Sequence, residues 1–163
     1  MTEDVAKEVE GQVAEADGPF QAAGRLAGWL GLTPFIVLSL WLYGIAPDHP
    51  WRSGTILLLL VYSAVVLSFL GGVRWGVGIK AEDSDKRPRE LWLALPPAFI
   101  GWIAVIAPIP LSFAMLAVAF AALGAWDALA AHGNKLPEWY GRLRIVLTVG
   151  AVAMLLLAFA STS

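Results

Sequence analysis

Five long apolar runs separated by short polar connectors set the pattern of this chain: roughly Leu26–Ala46, Gly54–Val73, Leu91–Ala107, Leu111–Ala131 and Leu143–Ala160. Each is near the length a helix needs to cross a hydrocarbon layer about 30 Å thick. The predicted fold is therefore all-α, an integral membrane bundle of five transmembrane helices. Residues 1–25 read as an acidic, flexible tail, 26–160 as the transmembrane domain, and 161–163 as a short polar end. The third run is the shortest and carries Pro96-Pro97. Two adjacent prolines remove two backbone donors and predict a kinked crossing, whose freed carbonyls neighbouring helices or water would satisfy. A re-entrant segment is the alternative.

Composition agrees with a membrane protein. The chain is 58% hydrophobic and 15% charged, with a mean hydropathy of +0.70, against about 45–50% and about 25% in soluble domains. A water-soluble fold of 163 residues would have too little polar surface to cover its core. Cysteine is absent, which removes disulfides, thiolate zinc sites, iron–sulfur clusters and a cysteine nucleophile.

Charge turns the pattern into a topology. With the N-terminus inside, Lys7, Arg25, Arg74, Lys80, Lys86, Arg87, Arg89, Lys135, Arg142 and Arg144 all fall on the inner side, and only Arg52 falls outside. That asymmetry is what the positive-inside rule expects, and it places the C-terminus outside. The tryptophans fit two interfacial belts: Trp29, Trp75, Trp92, Trp126 and Trp139 near inner span ends, Trp41, Trp51 and Trp102 nearer outer ones. The tail holds Glu3, Asp4, Glu8, Glu10, Glu15 and Asp17 and resembles neither a secretory signal nor a mitochondrial presequence. The first span is expected to serve as its own insertion signal in a bacterial inner membrane.

Two kinds of position inside the spans carry information. Ala64, Ser68, Gly72 and Gly76 recur every four residues, as do Ala117, Ala121 and Ala125. Small-residue stripes let helices approach closely where lipid supplies no hydrophobic drive. They predict packing of the second span against the fourth, with a homodimer seam as the alternative. Asp127 is the one acid within an apolar run. A carboxylate at membrane depth is normally paired, wet or functional. The threading brings Arg74 and Arg144 to the same depth, so an Asp127–Arg74 or Asp127–Arg144 ion pair is expected, and a proton or ligand site is the alternative.

Other chemistry finds little support. His49 and His132 fall on opposite sides of the bilayer and cannot share a zinc ion or a haem within a monomer. No phosphate-cradling loop, zinc-protease helix or nucleophile elbow is present. Lys86, Arg87 and Arg89 alternate with acids, which makes them at most a weak contact for anionic lipid and gives no case for nucleic acid. No cofactor and no metal are expected.

The segment Ser68-Phe69-Leu70-Gly71-Gly72-Val73-Arg74-Trp75-Gly76 resembles the signature of the domain-of-unknown-function 3429 family. Further likeness lies in Thr33-Pro34-Phe35, in Trp126-Asp127, and in Pro137-Glu138-Trp139-Tyr140 leading to Leu143-Arg144 and Leu147-Thr148. It covers about residues 26 to 160. The resemblance implies a small multi-span protein of a bacterial inner membrane, with mitochondrial relatives, and no established activity. It also implies that Gly71, Gly72, Arg74, Trp75, Asp127 and Arg144 belong to one shared feature. The function expected is non-enzymatic: a chain that packs against, assembles or stabilises another membrane component, or itself as a homodimer. The alternative is a small proton-linked transporter working as an oligomer through Asp127 and Arg74.

Overall fold

A computed structural model describes the backbone of residues 2–80, 86–132 and 138–163, and side chains from residue 18 onward except at 74, 77, 78, 80–87, 89, 90 and 130–138. Five helices follow in order: α1 Thr2–Gly44, α2 Arg52–Lys80, α3 Lys86–Ile106, α4 Leu111–His132 and α5 Glu138–Thr162. Four contain stretches long and apolar enough to span a bilayer: Gly18–Gly44, Arg52–Val73, Leu111–Leu129 and Trp139–Thr162. The apolar part of α3, Leu91–Ile106, is shorter, about 24 Å at 1.5 Å per residue.

Each helix packs on the next, α5 returns to α1, and α4 also touches α2 across the middle. Neighbouring helices in chain order run antiparallel, but α1 and α5 lie side by side in the same direction. A Cβ on Gly24 would stand 3.1 Å from Trp139, one on Gly28 2.7 Å from Leu147, and one on Gly150 2.8 Å from Leu32. Contacts that advance together along both helices can only come from a parallel pair.

Buried positions explain the order. On α5 they are Gly141, Arg144, Thr148, Ala151, Leu155 and Ala158, alternating by three and four residues as a heptad seam does. On α1 the same spacing buries Leu32, Phe35, Ser39 and Leu42. The α4 helix is buried on several sides, through Phe113, Leu116, Ala117, Phe120 and Leu123. Phe35 is the hub: it meets Tyr62 edge-on at 5.3 Å and Phe120 at 5.5 Å, joining α1, α2 and α4. Tyr62 donates its hydroxyl to the Gly31 carbonyl at 2.7 Å, beside the region where Pro34 interrupts the α1 hydrogen-bond ladder. Other hydroxyls turn back onto their own helix: Thr33 to Trp29, Ser63 to Leu59 and Ser68 to Ala64. That satisfies a donor where water is scarce.

One expectation changes in detail and two are filled in. The segment preceding the first span is helical back to Thr2. Residues 2–17 hold four Glu and three Ala, both good helix formers, and a helix already nucleated in the span extends into such a sequence without a second nucleation cost. The third helix runs through Pro96 and Pro97 without a break. The small-residue stripe on α2 is shifted: Gly71, not Gly72, makes the close approach, and it does so to α3. A Cβ on Gly71 would lie 2.7 Å from the Ala94 carbonyl oxygen and 3.2 Å from Pro97, whereas Gly72 and Gly76 have nothing within 4 Å. Ala64 keeps its part: a Cβ on Gly101 would stand 3.1 Å from the Ala64 backbone. The hairpin of α2 and α3 is thus closed by Gly71 and Gly101, one glycine from each helix.

Candidate functional site

The acid inside the bundle is paired. Arg144 Nε donates to Asp127 Oδ2 at 2.8 Å, with the two side chains only 6% and 13% exposed. One residue comes from the last turns of α4 and the other from the second turn of α5, so the pair closes the hairpin formed by those helices near its loop. Heptad spacing puts Arg144 on the buried seam one turn before Thr148. Thr148 in turn rests against Gly124, where a Cβ would come within 2.4 Å of its side chain. Gly124 and Asp127 are one turn apart on α4, so the backbone of α4 comes close enough to α5 for a side chain as long as arginine to be held beside it.

Not every donor is satisfied. Among the described residues, Arg144 Nη2 and Thr148 Oγ1 are both buried without a hydrogen-bond partner. A buried polar atom left unpaired costs about 1–3 kcal/mol, so this polar node is held by its surroundings and is not by itself a net gain in stability.

The residues singled out by sequence fall on two interfaces. Asp127 and Arg144 meet between α4 and α5, while Gly71 sits between α2 and α3. Gly72 is open and Trp75 is 44% exposed. Among the described residues the backbones of α2 and α5 do not approach each other, and the two helices meet through the Arg52 side chain at the start of α2, which reaches the Ser161 carbonyl in α5. The side chain of Arg74, and with it the Asp127–Arg74 pairing, lies outside the described residues. Among those residues no three His, Asp or Glu side chains gather as a metal site would require. His49 has a local role, accepting the Trp51 backbone N–H at 3.2 Å and meeting the Trp41 ring edge-on at 6.4 Å.

A residue the sequence reading passed over matters at the opposite end. Arg52, the one positive charge expected outside, reaches the Leu42 and Ile45 carbonyls at 3.4 and 3.3 Å and also the Ser161 carbonyl. Those oxygens close the C-terminal ends of α1 and α5, where helix dipoles concentrate negative charge. One guanidinium therefore holds two parallel helix ends together. Its isolation from the other cations was the available signal.

Among the described residues, three grooves can be placed on the lipid-facing surface. One of about 430 Å³ runs between α4 and α5 over Ala121, Gly124, Ala125 and Val149. A second, of about 200 Å³, lies between α3 and α4 at Pro97 and Trp126. The third, about 490 Å³, lies between α1 and α5 near Arg25 and Arg142. Neither Asp127 nor Arg144 lines any of them.

Transmembrane protein 69 of Xenopus tropicalis is 33% identical over 129 residues, covering 77% of this chain and 49% of the frog protein. The chain thus spans about half the length of this curated relative. No solved structure matches. The model of the protein family of unknown function DUF3429 matches residues 21–160, covering both the Gly71 contact and the Asp127–Arg144 pair, and the chain belongs to that family.

Proposed function

We propose that this multi-pass membrane protein is a non-enzymatic helical scaffold that packs against and stabilises another membrane component. It crosses a bacterial inner membrane five times, with its N-terminus in the cytoplasm. The observation that carries this reading is the state of the intramembrane acid. Asp127 is bonded to Arg144 inside a helix–helix contact, with only 13% of its side chain exposed. A transport carboxylate needs a wet path, and a catalytic one needs an acid–base partner facing substrate. The parallel course of α1 and α5 supports an odd number of crossings, and the charge asymmetry supports the orientation. The groove over Ala121, Gly124 and Ala125 offers small residues to an approaching helix. We assign that groove to a transmembrane helix of a different membrane protein.

The test is a photoreactive amino acid placed at Ala125 or Val149 in native membranes, with Phe99 on α3 as the comparison site. An adduct of one defined mass with another membrane protein, formed from the groove positions and not from Phe99, is the expected result. A chain recovered alone from all three positions would sink the scaffold reading. Proton or solute flux in proteoliposomes that vanished in Asp127→Asn would replace it with transport.

A further inference from the structure

Hydroxyls inside this bundle have a habitual place. Thr33, Thr55, Ser63, Ser68, Ser161 and Thr162 each donate to the carbonyl four residues earlier on their own helix, which satisfies them without help from a neighbour. Thr148 breaks the habit. Among the described residues its Oγ1 is buried without a hydrogen-bond partner, with 9% of the residue exposed. Ser39 shares that condition, but it is wholly buried and lines none of the three grooves. Thr148 lines the groove between α4 and α5. A Cβ on Gly124 would stand 2.4 Å from both its Oγ1 and its Cγ2. The side chain is thus turned across the cleft toward α4 and does not reach back to the α5 carbonyl one turn earlier.

Depth selects what can answer that hydroxyl. Thr148 lies about 13 Å along α5 from Trp139, where the apolar span Trp139–Thr162 begins, well inside a hydrocarbon layer about 30 Å thick. Lipid headgroups and bulk water stay at the ends of the span, and acyl chains carry neither donor nor acceptor. A hydrogen bond at this depth has to come from a neighbouring span. The groove is shaped to admit one. Its α4 wall is Ala121, Gly124, Ala125 and Ala128, small residues that share a face by their three- and four-residue spacing. Such a wall lets another backbone come close, and closeness is what a short polar side chain needs to reach Thr148.

We propose that the transmembrane helix seated in this groove presents a serine, threonine, asparagine or glutamine to Thr148 Oγ1, flanked by apolar residues. The inference rests on the scaffold reading and adds the chemistry by which the partner is chosen. A threonine hydroxyl both donates and accepts, so a hydroxyl or an amide on the partner satisfies it in either direction. A charged residue does not suit the site, because the rest of the lining is apolar and offers no counter-charge. An apolar helix of the same shape leaves the Thr148 hydroxyl buried and unbonded, a cost that falls on the wrong partner and is lifted by the right one.

The experiment places a photoreactive amino acid at Ala125 of the full chain in native membranes and compares the parent with Thr148→Val and Thr148→Ser. Valine keeps the branched shape and loses the hydroxyl, while serine keeps the hydroxyl. Thr148→Val is expected to lower the adduct yield about three- to ten-fold, and Thr148→Ser to retain most of it. In micelles, where the chain is alone, the denaturation midpoint of Thr148→Val should equal or exceed that of the parent, since an unbonded buried hydroxyl has been removed. An undiminished adduct in folded Thr148→Val overturns the inference and leaves the scaffold reading standing. Absence of any adduct from the parent overturns the scaffold reading, and the inference falls with it. A micelle midpoint lowered in step with the yield puts the hydroxyl in a bond within the lone chain, which also overturns the inference. Should Thr148→Val fail to fold, peptide mapping of the parent adduct decides. A Ser, Thr, Asn or Gln within one helical turn of the attachment point on the partner is the expected result, and a wholly apolar segment there overturns the inference.

Discussion

Removing Asp127 should cost more than removing Asp127 and Arg144 together. At an effective dielectric of about 20, charges about 4 Å apart attract by about 4 kcal/mol. Against that stands a desolvation penalty of several kcal/mol for each ion, along with an Arg144 Nη2 that is buried without a partner. The pair is therefore close to neutral as a unit, yet either member alone is a liability. Asp127→Leu leaves a guanidinium that is 6% exposed without its Asp127 counter-charge, a loss of about 3–5 kcal/mol. Asp127→Leu combined with Arg144→Met removes both charges at similar volume and should lie within about 1 kcal/mol of wild type. The assay is reversible denaturation in mixed micelles, followed by tryptophan fluorescence, across the complete double-mutant cycle. A single variant within about 0.5 kcal/mol of wild type, or a double variant as unstable as the sum of the singles, refutes the reasoning.

Two further outcomes follow from particular contacts. Gly71→Ala forces a Cβ to within 2.7 Å of the Ala94 carbonyl and should lower the denaturation midpoint by the equivalent of about 1–3 kcal/mol. Gly72→Ala, with nothing within 4 Å, should be neutral or stabilise by up to about 1 kcal/mol, so equal effects at the two positions would contradict the α2–α3 contact. Arg52→Met frees the carbonyls at the ends of α1 and α5. Hydrogen exchange should rise in the last turns of both helices at once, and Arg52→Lys should restore only part of the protection because an ammonium lacks the guanidinium fork.

The helices were legible because a membrane imposes length and apolarity on anything that crosses it. The bundle's interior was much less so. In water a buried face stands out as the apolar one. In lipid the outward face is just as apolar, as Leu30, Val65 and Leu129 show by being 62%, 60% and 73% exposed. What marks the seam of α5 is small size at Gly141, Ala151 and Ala158, and glycine and alanine are scattered too freely through this chain for that to be seen beforehand. The same limit put the α2 contact one residue off. Gly71 and Gly72 are adjacent and chemically identical, and only the direction each faces distinguishes them. Asp127 and Arg144 could be brought together because charge at depth must be compensated and threading gave their heights. Arg52 could not, because its purpose arises from two helix ends, far apart in sequence, that come to rest beside each other.

That side-by-side arrangement of the first and last helices has a consequence for biogenesis. Helices enter the membrane in the order in which the ribosome delivers them, so the edge of α1 that α5 will cover faces lipid through most of translation. Over the same interval Asp127 is already inserted while Arg144 is still to come. A nascent chain halted after α4 carries an acid that has yet to meet Arg144 and an open flank, features that quality-control proteases and insertases can sense. Completion of α5 removes both signals in a single step.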